Sequence, residues 1–239
     1  MMTEPILEVV VTSAQEAMDA VAGGANRLEL ATDMASDGLT PSLPDFLRVR
    51  EAVTVPLRIM LRDSNGFQPT DLDRLGEAAS ALRAAGADAF VLGFLTPEGT
   101  LDLPSVTALL ASVPGCRWTF HRALDHASDR DALRRALHGL PGLDTVLTAG
   151  SVPGVERGLD VLTAEAGRQG ERGYEVNVMA GGGLMTRHVP ILRAHGLDTF
   201  HVGTSVRHGG WDTPIDRAAV RRWRQLIETD PGQPDRDDL

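Results

Sequence analysis

Short apolar runs with strand character alternate along this chain with longer stretches of helical periodicity. One pattern occurs four times, as "GANRLEL", "GADAFVLG", "GLDTVLTAG" and "GLDTFHVG". Its shared Asn or Asp is Asn26, Asp88, Asp144 or Asp198, so successive copies are 62, 56 and 54 residues apart. Glycine after a helix supplies a left-handed cap, and the apolar run after it has strand character. Each copy therefore predicts the end of a helix followed by a strand.

Four further strand-like runs lie between these copies, at 7–11, 55–61, 117–121 and 174–179. The intervening stretches carry helical periodicity. Two strands per period of about 56 residues, each followed by a helix, predict an α/β fold, a single-domain (β/α)8 TIM barrel. A doubly wound open sheet is the alternative, but the G-x-G-x-x-G fingerprint of its dinucleotide-binding members is missing after the first strand. We expect one domain over residues 1–228 and a disordered polar tail at 229–239.

Strand alternation assigns the repeated positions to two faces. Positions two and four after the Asn or Asp are expected to face the surrounding helices: Leu28 and Leu30, Phe90 and Leu92, Val146 and Thr148, Phe200 and Val202. Positions one and three are expected to face the barrel axis: Arg27 and Glu29, Ala89 and Val91, Thr145 and Leu147, Thr199 and His201. Two of the four strands thus carry charged or titratable groups where the other two carry apolar ones.

Several ionisable residues approach the carboxyl ends of the predicted strands, where barrel enzymes place their chemistry. In "WTFHRALDH" a strand runs directly into ionisable groups, each of which costs solvation unless it finds a partner. Strands 8, 1 and 2 adjoin in a closed barrel. Four ionisable residues should therefore lie side by side: His201, Glu8, Arg27 and Glu29. The candidate catalytic set is Glu8, Arg27, Glu29, Arg62, His121, Arg122, Asp125 and His201. A buried ion-pair network is the alternative reading of the same set.

Two glycine-containing segments follow the seventh and eighth predicted strands, "AGGGLMT" and "VGTS". In barrels these loops often bind phosphate, because backbone N–H groups and a helix N-terminus favour an anion there. The candidate anion-binding residues are Gly181, Gly182, Gly183, Gly203 and Thr204. The alternative is a pair of tight turns that need glycine for positive φ.

Composition excludes several function classes. The net charge is −10 over 239 residues, which argues against nucleic acid as a partner. Lysine is absent, so Schiff-base and pyridoxal-phosphate chemistry are ruled out. A single cysteine, Cys116, leaves no disulfide framework and no CxxC metal site. No apolar run approaches a membrane span, and the first residues show no export signal, so we expect no membrane partner and a cytoplasmic location.

The segments "LEVVV", "GGANRLELATDMASDGLTPS", "IMLR", "TFHRALD", "LTAG", "MAGGG" and "FHVG" resemble the CutC family, named for copper homeostasis, from about residue 6 to 205. This resemblance implies a cytoplasmic TIM barrel, a homodimer or homotetramer, and copper binding or copper tolerance. Where the family commonly has cysteine, this chain has Val10 and Ala31. Copper(I) prefers soft ligands, and the soft donors left near the site are the thioethers of Met34, Met60 and Met179. His121 and His201 are the candidate metal ligands.

Two functions therefore remain open, with a non-catalytic scaffold as a third. The first is copper binding, which the resemblance implies. The second is an isomerase or lyase acting on a small anionic or sugar-like substrate. In that enzyme Glu8 or Glu29 and His121 serve as general base and acid, while Arg27, Arg62 and Arg122 hold the anionic part. Both carboxylates are expected to be ionised, and a histidine facing them to gain affinity for its proton.

Overall fold

The computed structural model describes residues 4–229. Eight parallel strands close into a barrel in chain order, and a helix follows each strand. The strands are β1 Ile6–Val11, β2 Arg27–Leu30, β3 Leu57–Met60, β4 Ala89–Leu92, β5 Arg117–Phe120, β6 Leu143–Thr148, β7 Asn177–Gly181 and β8 Thr199–Val202. The helices are α1 Ala14–Gly23, α2 Leu43–Ala52, α3 Leu72–Ala84, α4 Leu103–Ser112, α5 Arg130–Leu137, α6 Val155–Ala166, α7 Val189–Ala194 and α8 Arg217–Glu228.

This closed barrel confirms the predicted (β/α)8 fold and excludes the open sheet. Within residues 4–229, no helix combines the length and apolarity that crossing a bilayer requires. Of the predicted tail 229–239, residues 230–239 lie outside the described residues, so the tail stays a prediction.

The four repeated glycines have the left-handed backbone that their position before each strand requires. The φ angles are 106°, 105°, 79° and 88° at Gly24, Gly86, Gly142 and Gly196. In the first copy the Asn26 side chain accepts from the Leu7 amide at 2.8 Å and donates to the Pro5 carbonyl at 2.9 Å. The repeat therefore encodes a helix stop and, in this copy, an anchor between neighbouring strands.

The two faces of the strands are as the alternation predicts. Leu28, Phe90, Val146 and Phe200 are buried in the apolar layer shared with the helices. A separate apolar cluster inside the barrel consists of Val10, Ala31, Met60 and Val91. The polar member of the outward set, Thr148, accepts a hydrogen bond from Arg130 of α5 at 2.9 Å.

The seventh strand differs from the predicted run 174–179, since β7 spans Asn177–Gly181. Tyr174 is buried outside the strand, and its ring lies 4.5 Å from the guanidinium carbon of Arg134 and 3.9 Å from that of Arg168. Aromatic residues favour strands because they pack well on a half-buried surface, but here the packing partners are arginines of neighbouring segments. The strand instead continues through Ala180 and Gly181.

Helix α6 approaches the turn after β6 most closely at Gly158, which gives a stability prediction. Alanine is favoured over glycine inside a helix by about 1 kcal/mol. A Cβ at Gly158, however, would overlap the Ala149 carbonyl oxygen, and overpacking of this kind costs roughly 1–3 kcal/mol. We expect Gly158→Ala to lower the free energy of unfolding, measured by urea titration.

The matched control is Gly76→Ala in α3. A Cβ there would meet only the Ser112 side chain, whose hydroxyl oxygen is 3.0 Å away and can rotate aside. We expect this variant to be as stable as the parent or more stable. Equal stability of the two variants would contradict the close approach of α6 to the barrel.

Candidate active site at the barrel mouth

A cavity of about 300 Å³ opens at the carboxyl ends of the strands. Most of the predicted site residues line this cavity, namely Glu29, Arg62, His121, Arg122, His201, Gly182, Gly183, Gly203 and Thr204. It also has an apolar part, made by Val10, Met34, Met60, Phe67, Leu147 and Trp211. A cavity of this size and mixed lining suits a small metabolite.

Glu8 lies beneath the cavity and is fully buried. Its carboxylate accepts from the Arg27 Nε atom and pairs with His201 Nδ1 at 2.7 Å, while Arg58 Nε lies 4.0 Å away. Burial raises the pKa of Glu8, but Arg27, His201 and Arg58 together outweigh it and hold that pKa at about 2. Glu8 is therefore a permanent negative charge under the floor of the site.

Glu29, two residues further along β2 than Arg27, lies at the cavity itself. Its Oε2 atom is buried and has no hydrogen-bond partner among the described residues. Burial raises the pKa of Glu29 to about 7, with the Glu8 charge adding to the rise and His201 opposing it. This corrects the expectation that both carboxylates are ionised, because only Glu8 has close cationic partners.

His201 behaves as the sequence predicts for a histidine beside two glutamates. Burial lowers its pKa, but the Glu29 charge and the hydrogen bond to Glu8 outweigh burial, so the pKa is raised. Gly181 makes room for this imidazole, since a Cβ there would lie 2.8 Å from the His201 Cβ. Gly181 therefore supports His201 and does not line the cavity, unlike Gly182 and Gly183.

His121 follows β5 on another wall of the cavity and is neutral. Burial and the charges of Arg62 and Arg122 lower its pKa to about 3. The Ala123 amide donates to Nδ1 at 3.2 Å, so the ring proton lies on Nε2. That Nε2 atom is buried and has no partner in residues 4–229. His121 therefore offers one unused N–H donor to the site.

Arg62 and Arg122 flank His121, and protein oxygens fix their orientation. Arg62 donates to the carbonyl oxygens of Gly66 and Asp37, each at 3.0 Å. Arg122 donates from Nε to Asp125 at 2.8 Å and from Nη2 to the carbonyl oxygens of Ser151 and Val152. Two guanidiniums held beside one wall favour an anionic ligand.

Besides Glu8 and Gly181, two more predicted residues do not line the cavity. Arg27 donates to the Glu8 carboxylate and, from Nη2, to the Met179 sulfur at 3.0 Å. Its side chain therefore lies beneath the cavity, too deep in the barrel to contact a ligand there. This corrects its predicted role as a contact to the anionic part. Asp125 is buried behind the wall, where it accepts from Arg122, Arg130 and Thr148. Asp125 thus orients Arg122.

Sequence reasoning missed Arg58 and Trp211. Arg58 bonds Thr119 and Asp144 inside the barrel, each at 2.8 Å. The sequence does contain a signal for Arg58, because strand alternation places Arg58, Met60 and Arg62 on the same face of the strand. Trp211 covers the cavity from the loop after β8 and packs so closely on Gly203 that a Cβ there would overlap the indole. No periodicity marks a loop residue of this kind.

The site offers no thiolate that could bind copper(I). Val10 and Ala31, at the family's cysteine positions, are buried apolar residues inside the barrel. Cys116 precedes β5 and so lies at the other end of the barrel. Glu8, Glu29 and His201 place ligand atoms within 4.8 Å of one another, and His121 is outside that group. Arg27 already pairs with Glu8, which opposes a further positive charge.

The opposite pKa shifts of Glu29 and His121 predict opposite effects on stability. A raised acid pKa contributes stability that is complete below pH 4.5 and lost as the pH rises through about 7. A lowered histidine pKa contributes stability that is complete above pH 6.5 and lost as the pH falls toward about 3. Relative to the parent, Glu29→Gln should therefore gain stability on going from pH 4.5 to 7, by on the order of 3 kcal/mol.

His121→Asn should instead gain relative stability as the pH falls from 6.5. Denaturant titrations of both variants and the parent across pH 4 to 8 measure these slopes. Parallel curves for the three proteins would contradict the assigned protonation states.

Three comparisons with known proteins agree with this architecture. A model described as the CutC family matches residues 5–206. A CutC family protein of Xanthomonas campestris pv. campestris is 33% identical over 241 residues, covering 93% of this chain and 99% of that protein. One from Porphyromonas gingivalis is 30% identical, covering 84% and 81%. A putative copper homeostasis protein CutC of Streptococcus agalactiae has the same fold, with a TM-score of 0.75 at 23% identity, covering 84% of this chain and 98% of that one.

Proposed function

This chain belongs to the CutC family, and we propose that its barrel mouth catalyses proton transfer next to a carbonyl group in a small anionic substrate. The reaction class is an isomerase or lyase. One observation carries the proposal. Glu29 Oε2 and His121 Nε2 are buried in the wall of one cavity, and neither has a partner among the described residues. Buried polar atoms without partners are rare and call for an explanation, and a substrate supplies one.

The two groups have complementary chemistry. A pKa of about 7 makes Glu29 a suitable general base near neutral pH. A neutral imidazole with its proton on Nε2 can polarise a carbonyl oxygen without itself carrying charge. His201, whose pKa is raised, stabilises the ionised form of Glu29. Glu29 takes the base role that the sequence left open between Glu8 and Glu29, whereas His121, expected as the general acid, acts in this proposal as a neutral hydrogen-bond donor.

Glu29 takes a proton from the carbon next to the carbonyl, and the C–H electron pair forms an enolate double bond. The carbonyl oxygen becomes the oxyanion and accepts the His121 Nε2–H hydrogen bond, with Arg62 and Arg122 nearby. An isomerase acts on a substrate with a hydroxyl on the deprotonated carbon, so the enolate is an enediolate. The hydroxyl proton moves to the oxyanion, the hydroxyl oxygen becomes the new carbonyl oxygen, and Glu29 returns its proton to the former carbonyl carbon. A lyase instead expels a leaving group from the carbon next to the enolate.

Deuterium incorporation tests this proposal without prior choice of substrate. The parent protein and Glu29→Gln are each incubated in D2O with a deproteinised small-metabolite extract, which is then examined by mass spectrometry. We expect at least one anionic compound to gain deuterium with the parent and not with the variant. If no compound gains deuterium with the parent, the proposal of proton transfer is wrong.

Copper binding is a second candidate, favoured by the Met34 and Met60 thioethers and His201 at the lining of the same cavity. The S. agalactiae protein of the same fold is named for copper homeostasis. Thioether and imidazole donors accept copper(I), but without a thiolate the affinity is lower than that of a dedicated copper carrier. In this function copper is the ligand, and the neutral His121, which is outside the group of Glu8, Glu29 and His201, remains unexplained.

We expect weak copper(I) binding, measured by competition with a chromophoric copper(I) chelator. Val10→Cys with Ala31→Cys should increase the affinity by at least tenfold, because it places two thiols beside Met60. Cys116→Ser is the control and should change nothing, since Cys116 is at the opposite end of the barrel. Binding by the parent as tight as that of a thiolate carrier would favour copper over proton transfer.

A further inference from the structure

A second cavity, of about 230 Å³, lies near the other end of the barrel, against α5 and the segments that lead into β6 and β7. Its wall is largely apolar and includes Leu137, Leu140 and Leu143. His138 and Glu175 also line it, and they are paired with each other at 2.8 Å. None of the residues assigned to the barrel mouth lines this cavity.

Arg134 of α5 is the charged residue buried in the wall of this cavity. Its side chain is completely buried, and Nη2 donates to Glu165. Among residues 4–229 its Nε and Nη1 atoms have no hydrogen-bond partner, and no other arginine there has two such nitrogens. Leaving a buried cationic donor unpaired is costly, so this edge of the guanidinium calls for an acceptor.

The charges around Arg134 do not cancel. Arg122 and Arg130 contact the Asp125 carboxylate at 2.8 and 3.0 Å, and Arg130 contacts Glu165 at 2.8 Å. Glu165 in turn contacts Arg134. This series of ion pairs contains three guanidiniums and two carboxylates, so one positive charge is in excess. Arg122 is partly exposed at the mouth, whereas Arg134 is enclosed at the other cavity, where water screens it least.

We propose that the second cavity binds a small monocarboxylate with a short apolar chain. The carboxylate meets the unpaired edge of Arg134, and the chain packs against the leucines. A single negative charge matches the positive charge left over in the ion pairs from Arg122 to Arg134, while Glu175 is paired with His138. Glu175, an acid at the same cavity, disfavours a second negative charge, which selects monocarboxylates over dicarboxylates and phosphate esters.

Hexanoate is the probe that tests this site, with hexanamide as the matched neutral compound. Binding is followed by the methyl resonances of Leu137 and Val146 in the full-length protein. We expect hexanoate to shift them and hexanamide to bind at least tenfold more weakly. Arg134→Met should remove the difference between the two compounds, while Arg135→Met, an exposed arginine on the same helix, should leave it unchanged.

Leu140→Trp provides a second variant in case Arg134→Met does not fold. It fills the cavity from a partly buried position without changing any charge, and we expect it to abolish the shifts. The absence of shifts with the parent, or equal binding of hexanamide, would overturn the proposal. Loss of hexanoate binding on Arg62→Met with retention on Arg134→Met would do the same, since it would place hexanoate at the barrel mouth.

Discussion

Glu29→Gln and His121→Asn are each expected to lower turnover by a factor of about 10²–10⁴ while leaving the protein folded. Glutamine keeps the shape of Glu29 but cannot accept a proton, and asparagine removes the imidazole Nε2–H donor. Neither substitution breaks an ion pair, because neither unpartnered atom is engaged in the structure. The measurement is the rate of deuterium incorporation, together with thermal unfolding of both variants and the parent.

The pH dependence of that rate gives an independent check. The base must be ionised, so the parent rate should rise with pH and level off above the Glu29 pKa of about 7. His121 stays neutral over this range, because its pKa is about 3. A fall in melting temperature of more than about 8 °C in both variants exceeds what a ~1 kcal/mol loss explains in a chain of this size. Such a fall would show that Glu29 and His121 belong to a structural ion-pair network and not to an active site.

Glu8→Gln is expected to have the opposite outcome, a large loss of stability. It leaves Arg27, Arg58 and His201 without the carboxylate that they surround. Breaking a buried pair by removing one partner costs roughly 3–5 kcal/mol. At about 2–4 °C per kcal/mol for a chain of this size, the melting temperature should fall by about 6–20 °C.

The control for Glu8→Gln is Asp45→Asn, which removes the exposed ion pair with Arg48. Surface pairs contribute about 0–1 kcal/mol, so this variant should melt close to the parent. The comparison also separates the two glutamates. If Glu8→Gln is no less stable than Glu29→Gln, then the Glu8 carboxylate is not what neutralises the buried arginines.

Much of the site's membership was predictable from local patterns. Alternation along β2 and β8 placed Glu29 and His201 inside the barrel, because neighbouring side chains on a strand must point to opposite faces. Chain order then put His201 beside Glu8. The same rule, applied to β3, points to Arg58 as readily as to Arg62. What alternation could not give was depth along the axis, and depth separates Arg27, which is beneath the cavity, from Glu29, which lines it.

The sequence by itself determined the helix stops, the strands and the inward face of each strand, because these depend on periods of a few residues. It also determined the barrel, because the fourfold repeat of about 56 residues sets the number of strands. Only the tertiary structure decided the charge states. Burial disfavours the charged form of Glu8, Glu29 and His121 alike, but Arg27 and Arg58 surround Glu8, whereas Arg62 and Arg122 flank His121. A pKa depends on which charges meet in a dry interior, and these charges come from strands and loops far apart in the chain.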